Sequence, residues 1–436
     1  MPGLTERAPA RSSLASVAVF FSGNLAVNVI TLAGSLLVTR WTDPYHMGLW
    51  NFALLVVTYL SGLQLGVFNG LNRQLPYFAG RGDSAQCSRL AEVAYAWSSL
   101  LSLGSVACMA VAAMYFLQRG DVDSLRTTVA IGTVLVASWS FQYLTVSYGA
   151  HSQFGRLSRK SMVVAVVGLP LTALVKMFGY TGLLIRAALL ALIGSLVLFV
   201  GRPIPVRPRW DRTIFLDLVR VGFPIWLLGQ LTALFMTLDR LVLAQSPQLL
   251  GYYSIAAQFA AMSLMVPMAF NAVLYPQMAR RYGETHVAMD LWRSALQACG
   301  WATAAGLGVA MVAWLTIPPF VRFVLPTYVP GIDAAQWASL AGLAMGLSVF
   351  GNIFNVLGRQ HVYLLAAAVG VVTFFSAWFL LTRGLARPFA VSAAQSMVIG
   401  TLATSLCAAG FSLATCRRHD RPGSSETDVP TGAAHP

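Results

Sequence analysis

From end to end, the chain alternates long apolar runs with short polar breaks. A helix needs about twenty apolar residues to cross roughly 30 Å of hydrocarbon, and runs of that length recur about twelve times. The pattern predicts spans near residues 14–39, 48–71, 90–117, 126–149, 160–178, 181–200, 214–243, 251–275, 289–317, 333–357, 361–382 and 388–416. Between the fifth and sixth, only Phe178-Gly179-Tyr180-Thr181 remains to make a very short turn. The expected fold is an all-α polytopic membrane protein. No loop is long enough to form a soluble catalytic or nucleotide-binding domain.

A punctuation pattern occurs twice. Pro44, Gly48, Leu75-Pro76 and Gly82-Asp83 recur as Pro247, Gly251, Tyr275-Pro276 and Gly283-Glu284, at offsets of 203, 203, 200 and 201 residues. A duplicated membrane unit is the simplest cause, and such duplication is common in transporters. Six spans per half is an even number, so both copies enter from the same side. The expected architecture is therefore two parallel six-helix lobes, 1–201 and 213–416, around a central cavity that would hold substrate. The inter-lobe linker, 202–212, contains three prolines that cannot continue a helix. The tail, 417–436, is rich in Gly, Ser, Thr and Pro and reads as a disordered cytoplasmic extension.

Composition agrees with a bilayer: 57% of residues are hydrophobic, 10% are charged, and the mean hydropathy is +0.67. A water-soluble domain could not carry that much apolar surface. The net charge of +14 raises the possibility of nucleic acid, but 20 of the 29 Lys and Arg residues fall on one side, in alternate loops and the span ends that adjoin them. That imbalance is the positive-inside pattern with both termini cytoplasmic, so nucleic acid is not expected as a partner. The first apolar run is too long for a cleavable signal core and reads as a retained span. The five cysteines show no spacing that suggests metal or disulfide. No phosphate loop exists: the stretch from Gly155 to Lys160-Ser161 lacks the glycine before lysine, and no cofactor is expected.

Polar groups inside hydrocarbon are costly and mark interior contacts or cavities. Asn24, Asn28 and Thr31 share one face of the first span, where they can bridge helices or line a cavity. Gln230, Thr232, Asn271, Asn352 and Asn355 are further inward-facing candidates. Arg186 lies six residues past Tyr180, about 9 Å into span six. It either snorkels to the interface or offers an anion site. Arg40 and Arg240 close spans one and seven, as interface anchors or substrate contacts, and Arg240 can pair with Asp239. Asp239 is the only carboxylate well inside a span, so no isolated buried carboxylate is available to bind a cation, and an anionic substrate fits better. The candidate substrate-binding set is Asn24, Asn28, Arg40, Arg186, Asp239 and Arg240.

Val38-Thr-Arg40-Trp-Thr-Asp-Pro44-Tyr-His-Met-Gly48-Leu-Trp50, Leu65-Gly66 and Asn72-Arg73-Gln-Leu-Pro76 resemble the opening of polysaccharide flippases of the O-antigen, capsule and exopolysaccharide type. These belong to the multidrug/oligosaccharidyl-lipid/polysaccharide exporter superfamily. Val221-Gly-Phe-Pro224, Asp239-Arg240-Leu-Val-Leu and Leu250-Gly251-Tyr-Tyr-Ser-Ile-Ala257 are similar to the matching region of its second half. The resemblance implies translocation of undecaprenyl-diphosphate-linked oligosaccharide across a bacterial inner membrane by alternating access, not enzymatic catalysis. The implied partners are the lipid-linked substrate, membrane lipids and, as a candidate, a polysaccharide polymerase. A multidrug or cation antiporter of the same superfamily is the alternative. A membrane glycan polymerase or ligase is a third reading, weakened by short outer loops that offer only Asp43, His46, Asp121, Asp123 and Asp333.

Overall fold

Helix starts along this chain include several capped by a short acidic or hydroxyl side chain of the preceding residue, among them Asp43, Asp83, Asp121 and Ser246. The computed structural model describes residues 10–151, 153–285, 287–357 and 359–420; the side chains of residues 10–25, 266, 269, 272, 273, 275, 276 and 279 are outside the described set. The first unit contains α1 (Ala10–Trp41), α2 (Pro44–Leu60), α3 (Val67–Gly80), α4 (Ser84–Arg119), α5 (Val122–Ala150), α6 (Phe154–Gly168), α7 (Ala173–Phe199) and most of α8 (Arg212–Phe235). In the second are α9 (Leu238–Leu243), α10 (Pro247–Tyr252), α11 (Ser254–Thr285), α12 (Ala288–Val324), α13 (Ile332–Ser339), α14 (Ala341–Gly346), α15 (Gly351–Val356), α16 (Gln360–Phe379) and α17 (Phe389–His419). No strand occurs among the described residues.

Each of the twelve predicted spans has a helical counterpart, and nine helical stretches among the described residues are long and apolar enough to cross a membrane. One of them, Phe154–Phe199, holds two predicted spans, because the chain breaks its helical path at Gly179 (φ 55°, ψ −130°). That left-handed φ suits glycine, which has no Cβ to clash. The predicted short turn is there.

The repeated prolines acquire a physical role. Pro44 and Pro247 both stand in the first turn of a helix, where the missing N–H costs nothing. Each follows a capping side chain: Asp43 accepts from the His46 N–H at 3.2 Å, and Ser246 from the Leu249 N–H at 3.4 Å. The side chain of Pro276 lies outside the described residues.

Several spans are broken helices. The second span leaves α2 through a 3₁₀ turn at Ser61–Gln64 and passes Leu65 (φ 52°) and Gly66 (φ 84°) before α3 begins. Such breaks are tolerated at membrane depth only where the freed backbone groups find partners. Here Trp97 donates its indole N–H to the Gln64 carbonyl at 3.2 Å, and the Gln64 side-chain oxygen accepts from the Phe68 N–H at 3.2 Å. The break also lets backbones touch. A Cβ on Gly66 would stand 2.6 Å from the Gly222 carbonyl carbon, and one on Gly222 would stand 1.9 Å from the Gly66 oxygen. α3 and α8 therefore pack main chain to main chain.

The division between the compact units, Met1–Ala233 and Leu234–Pro436, falls inside α8. The segment 202–212 consequently belongs to the first unit, where buried side chains and a backbone hydrogen bond hold it. Ile204 and Val206 are buried among Tyr143, Tyr148, Leu198 and Leu218, and Arg209 donates its N–H to the Glu92 carbonyl. In the second unit α16 and α17 cross at Gly370 and Gly400, and Gly342 lies against the Ser263 backbone. Gly342-x-x-x-Gly346 is thus a close-packing motif. α17 continues through Arg417, Arg418 and His419, while residues 421–436 of the predicted tail lie outside the described residues.

Candidate functional site

In the first unit, α1, α5, α6 and α7 enclose a cavity of about 310 Å³. Its polar lining comes from Thr31 on α1, Lys160 and Ser161 on α6, and Arg186 on α7. Arg186 reaches this point because the chain turns at Gly179 and then climbs six residues from Tyr180. Gly34 makes room for it: a Cβ there would lie 3.3 Å from Arg186 Nη2.

The two cations of this cavity are in different states. Lys160 donates to the Tyr148 hydroxyl at 2.7 Å, to the Val197 carbonyl at 2.7 Å and to the Val200 carbonyl. Those carbonyls end α7, where unsatisfied C=O groups and the negative end of the helix dipole favour a cation. Lys160, within α6, thus caps the C-terminal end of α7. Arg186, half-buried, has a buried Nε that meets no hydrogen-bond partner among the described residues. A guanidinium at such depth costs about 3 kcal/mol on insertion scales, and an unused buried donor adds to that. An anion entering the cavity would offset both, and a planar guanidinium holds phosphate oxygens two at a time.

In the second unit Asp239 and Arg240 sit differently. Asp239 is buried in the first turn of α9 and accepts from the Tyr253 hydroxyl at 2.7 Å and from the Arg240 N–H at 2.8 Å. Arg240 Nε stands 3.7 Å from the same carboxylate, and its Nη2 donates to the Met236 carbonyl at 3.1 Å. The group ties α9 to the α10–α11 junction. Its carboxylate is occupied by protein.

The remaining candidates separate from these groups. Asn28 and Arg40 are exposed on α1, and Asn28 is not part of the cavity lining. Asn24 lies in α1 with its side chain outside the described residues. Asn352 donates to the Asn271 oxygen at 2.9 Å, and Asn271 donates to Ser348 at 3.4 Å, so these amides join helices. Gln230 packs over Gly62. Sequence reasoning missed the partnership of Lys160 with the end of α7 and the gap at Gly34. The usable signal for the second was a glycine three residues beyond Thr31.

Another charged cluster closes one end of the first unit. His46 Nδ1 lies 2.5 Å from Asp43 and Nε2 3.7 Å from Asp123, with the ring over Tyr180 at 4.7 Å between centroids. Burial pulls the Asp43 carboxyl upward, but hydrogen bonds from the His46 ring and backbone outweigh it and hold Asp43 below its ordinary value.

Comparison with known proteins accords with this geometry. An inward-facing multidrug resistance MATE transporter of the MOP superfamily superposes with a TM-score of 0.73 at 16% identity, over 91% of this chain and 96% of that one. The lipid II flippase MurJ, in an inward closed conformation, superposes with a TM-score of 0.68 at 11% identity over 92% of both chains. A MOP-superfamily transporter from Pyrococcus furiosus, described as having a binding pocket of reversed polarity, gives a TM-score of 0.64 at 16% identity over 93% of this chain and 95% of that one. At these identities the likeness shows the fold. No curated protein sequence matches. A family model described as polysaccharide biosynthesis protein matches residues 37–326, about two thirds of the length, and the chain belongs to that family.

Proposed function

We propose that this protein is a flippase that moves a polyprenyl-diphosphate-linked oligosaccharide from one leaflet to the other for surface polysaccharide synthesis. The observation that carries this reading is the half-buried Arg186 guanidinium beside a cavity of about 310 Å³, its Nε meeting no hydrogen-bond partner among the described residues. A cation carrier would need a buried carboxylate at its disposal. Asp239 is held instead by Tyr253 and Arg240. In the proposed cycle Arg186 takes the diphosphate and the prenyl chain stays in hydrocarbon, while the spans bend where they are already broken, at 61–66 and 236–237. The bacterial inner membrane, cytoplasmic termini and a polymerase as receiving partner belong to the same proposal. It assigns no catalytic residue.

Reconstituted vesicles loaded with a fluorescent polyprenyl-diphosphate oligosaccharide test it. Arg186→Gln should lower the flipping rate about tenfold or more, the effect of losing roughly 1.4 kcal/mol of anion binding. Arg186→Lys should fall between, since an ammonium gives one point charge where guanidinium gives a fork. Unchanged flipping by Arg186→Gln at normal reconstitution removes Arg186 from the site. Drug efflux without flipping by the wild-type protein, or cleavage or joining of glycans, overturns the proposal as a whole.

A further inference from the structure

Each unit contains a groove that the transport reading leaves unused, and the two grooves occupy equivalent places in the repeat. In the first unit α2, α4 and α5 enclose about 380 Å³, with Ser105, Cys108, Met109 and Ala112 on the α4 wall. In the second, α11 and α12 enclose about 290 Å³, with Val309, Val312, Ala313 and Thr316 on the α12 wall. All four α4 positions map onto α12 by the same step of 204 residues. Val56 and Leu60 of α2 likewise map onto Phe259 and Ser263 of α11 by a step of 203. The side chains differ while the register is kept.

Both grooves are walled by helices able to span the membrane or by the apolar α11. α4 is peripheral: none of its most apolar stretch is buried inside the protein, and Leu103, Val111 and Met114 are exposed. α12 exposes Leu307, Met311, Val312 and Leu315 in the same way. A groove beside such a helix meets hydrocarbon, and leaving it empty would forfeit dispersion contacts along its lining. In the first unit the space exists partly because Met109 folds over Gly132, where a Cβ would stand 2.2 Å from the Met109 sulfur.

The charges at the groove ends identify the occupant. α4 and α12 each carry an arginine in the last turn, Arg119 and Arg322, again 203 residues apart and both exposed. Arg119 lies seven residues past Ala112 and Arg322 six past Thr316, about 9 to 10 Å along a helix. Seven residues is about two turns and keeps Arg119 on the groove face of α4, while Arg322 stands about a third of a turn round from Thr316 and must reach the groove end by its long side chain. A chain within either groove can then place a phosphate at the arginine, at headgroup level. Duplication favours a bilayer phospholipid over the prenyl tail of a cargo, because a single-chain cargo requires one groove. We propose that the two grooves are a duplicated pair of anionic-phospholipid sites, each taking an acyl chain between its helices and the phosphate on Arg119 or Arg322. This proposal does not depend on the cargo proposed above.

Full-length protein, delipidated in detergent and titrated with phosphatidylglycerol or phosphatidylcholine of matched chains, gives the test by native mass spectrometry. Two phosphatidylglycerol adducts should form with at least about fivefold preference over phosphatidylcholine. Arg119→Gln and Arg322→Gln should each remove one adduct, and the double variant both. Cys108 is an exposed thiol on the first groove's wall. Phosphatidylglycerol should slow its alkylation by maleimide severalfold in the wild type and not in Arg119→Gln. Ala112→Phe, which fills that groove without altering charge, should remove the same adduct as Arg119→Gln; if it fails to fold, the alkylation result decides. Equal binding of both lipids, or adducts indifferent to both arginines, overturns the proposal. So does displacement of phosphatidylglycerol by equimolar polyprenyl phosphate.

Discussion

The two copies of the repeat close the same turn by different means. In the first, Gly82 adopts a φ of 74° and Asp83 caps α4 by accepting from the Gln86 N–H at 2.9 Å. In the second, Gly283 and Glu284 remain inside α11, and Glu284 pairs with Arg280 at 2.9 Å. The cap on α12 is supplied by Asp420, whose carboxylate accepts from the Ala288 and Met289 N–H groups, each at 2.8 Å. Duplication has preserved where a helix must begin and left the capping device free to change. The charged groups diverge likewise: among the described residues both arginines keep a buried Nε without a hydrogen bond, but Arg240 stands 3.7 Å from the Asp239 carboxylate and donates Nη2 to the Met236 carbonyl, whereas the Nε of Arg186 faces a cavity.

The largest effect should come from the remote cap. Asp420→Ala removes an acceptor from two N–H groups at once and should cost about 2 kcal/mol, while Asp83→Ala, which removes one, should cost about 1 kcal/mol. Thermal unfolding in detergent ranks the two. Hydrogen exchange should show opening at Ala288 and Met289 only in the Asp420 variant. Equal losses, with no local opening, would mean that the C-terminal end of α17 does not hold α12.

The glycines give a smaller contrast with opposite signs. Neither Gly82 nor Gly283 would bring a Cβ into contact with anything, so only the backbone differs. Gly82→Ala forces a left-handed φ on alanine and should cost about 1 kcal/mol. Gly283→Ala, on helical backbone, should gain about 0.5 to 1 kcal/mol. The same melting measurement decides, and losses of like sign at both positions would contradict the assigned turn.

How much of this was legible depends on the reach of each interaction. Apolar runs of span length gave the helices, and the turn at Gly179 was readable because it had to fit between two runs. The break at Leu65-Gly66 falls inside a predicted span, where Ser61-Gly62, Gln64 and Gly66 hint at it without fixing where the helix ends. Arg186 stood out as a charge among apolar residues. The role of Lys160 did not, because its acceptors at Val197 and Val200 lie some forty residues away. Asp420 was hidden for the same reason: in sequence it borders a polar tail, and its partners lie more than a hundred residues earlier.

Acid should separate the copies most weakly. The caps before Pro44 and Pro247 are Asp43 and Ser246, and only the first can titrate. Burial raises the Asp43 carboxyl, yet the hydrogen bonds from His46 prevail and leave it below its ordinary value, with Asp123 as the other charge facing that imidazole. A carboxylate lowered by folding stabilises the native state in its ionised form. That contribution is complete above the unfolded value, about pH 4, and fades as the pH falls through the lower folded value. The Asp43 side chain is 54% exposed, so solvent screening keeps the effect small. Asp43→Asn retains a capping oxygen while removing the charge. Its melting temperature should therefore lie slightly below wild type at pH 7 and converge with it near pH 3, whereas Ser246→Ala should keep a constant gap at both. A gap for Asp43→Asn that does not change with pH would show that the Asp43–His46 contact acts through shape alone.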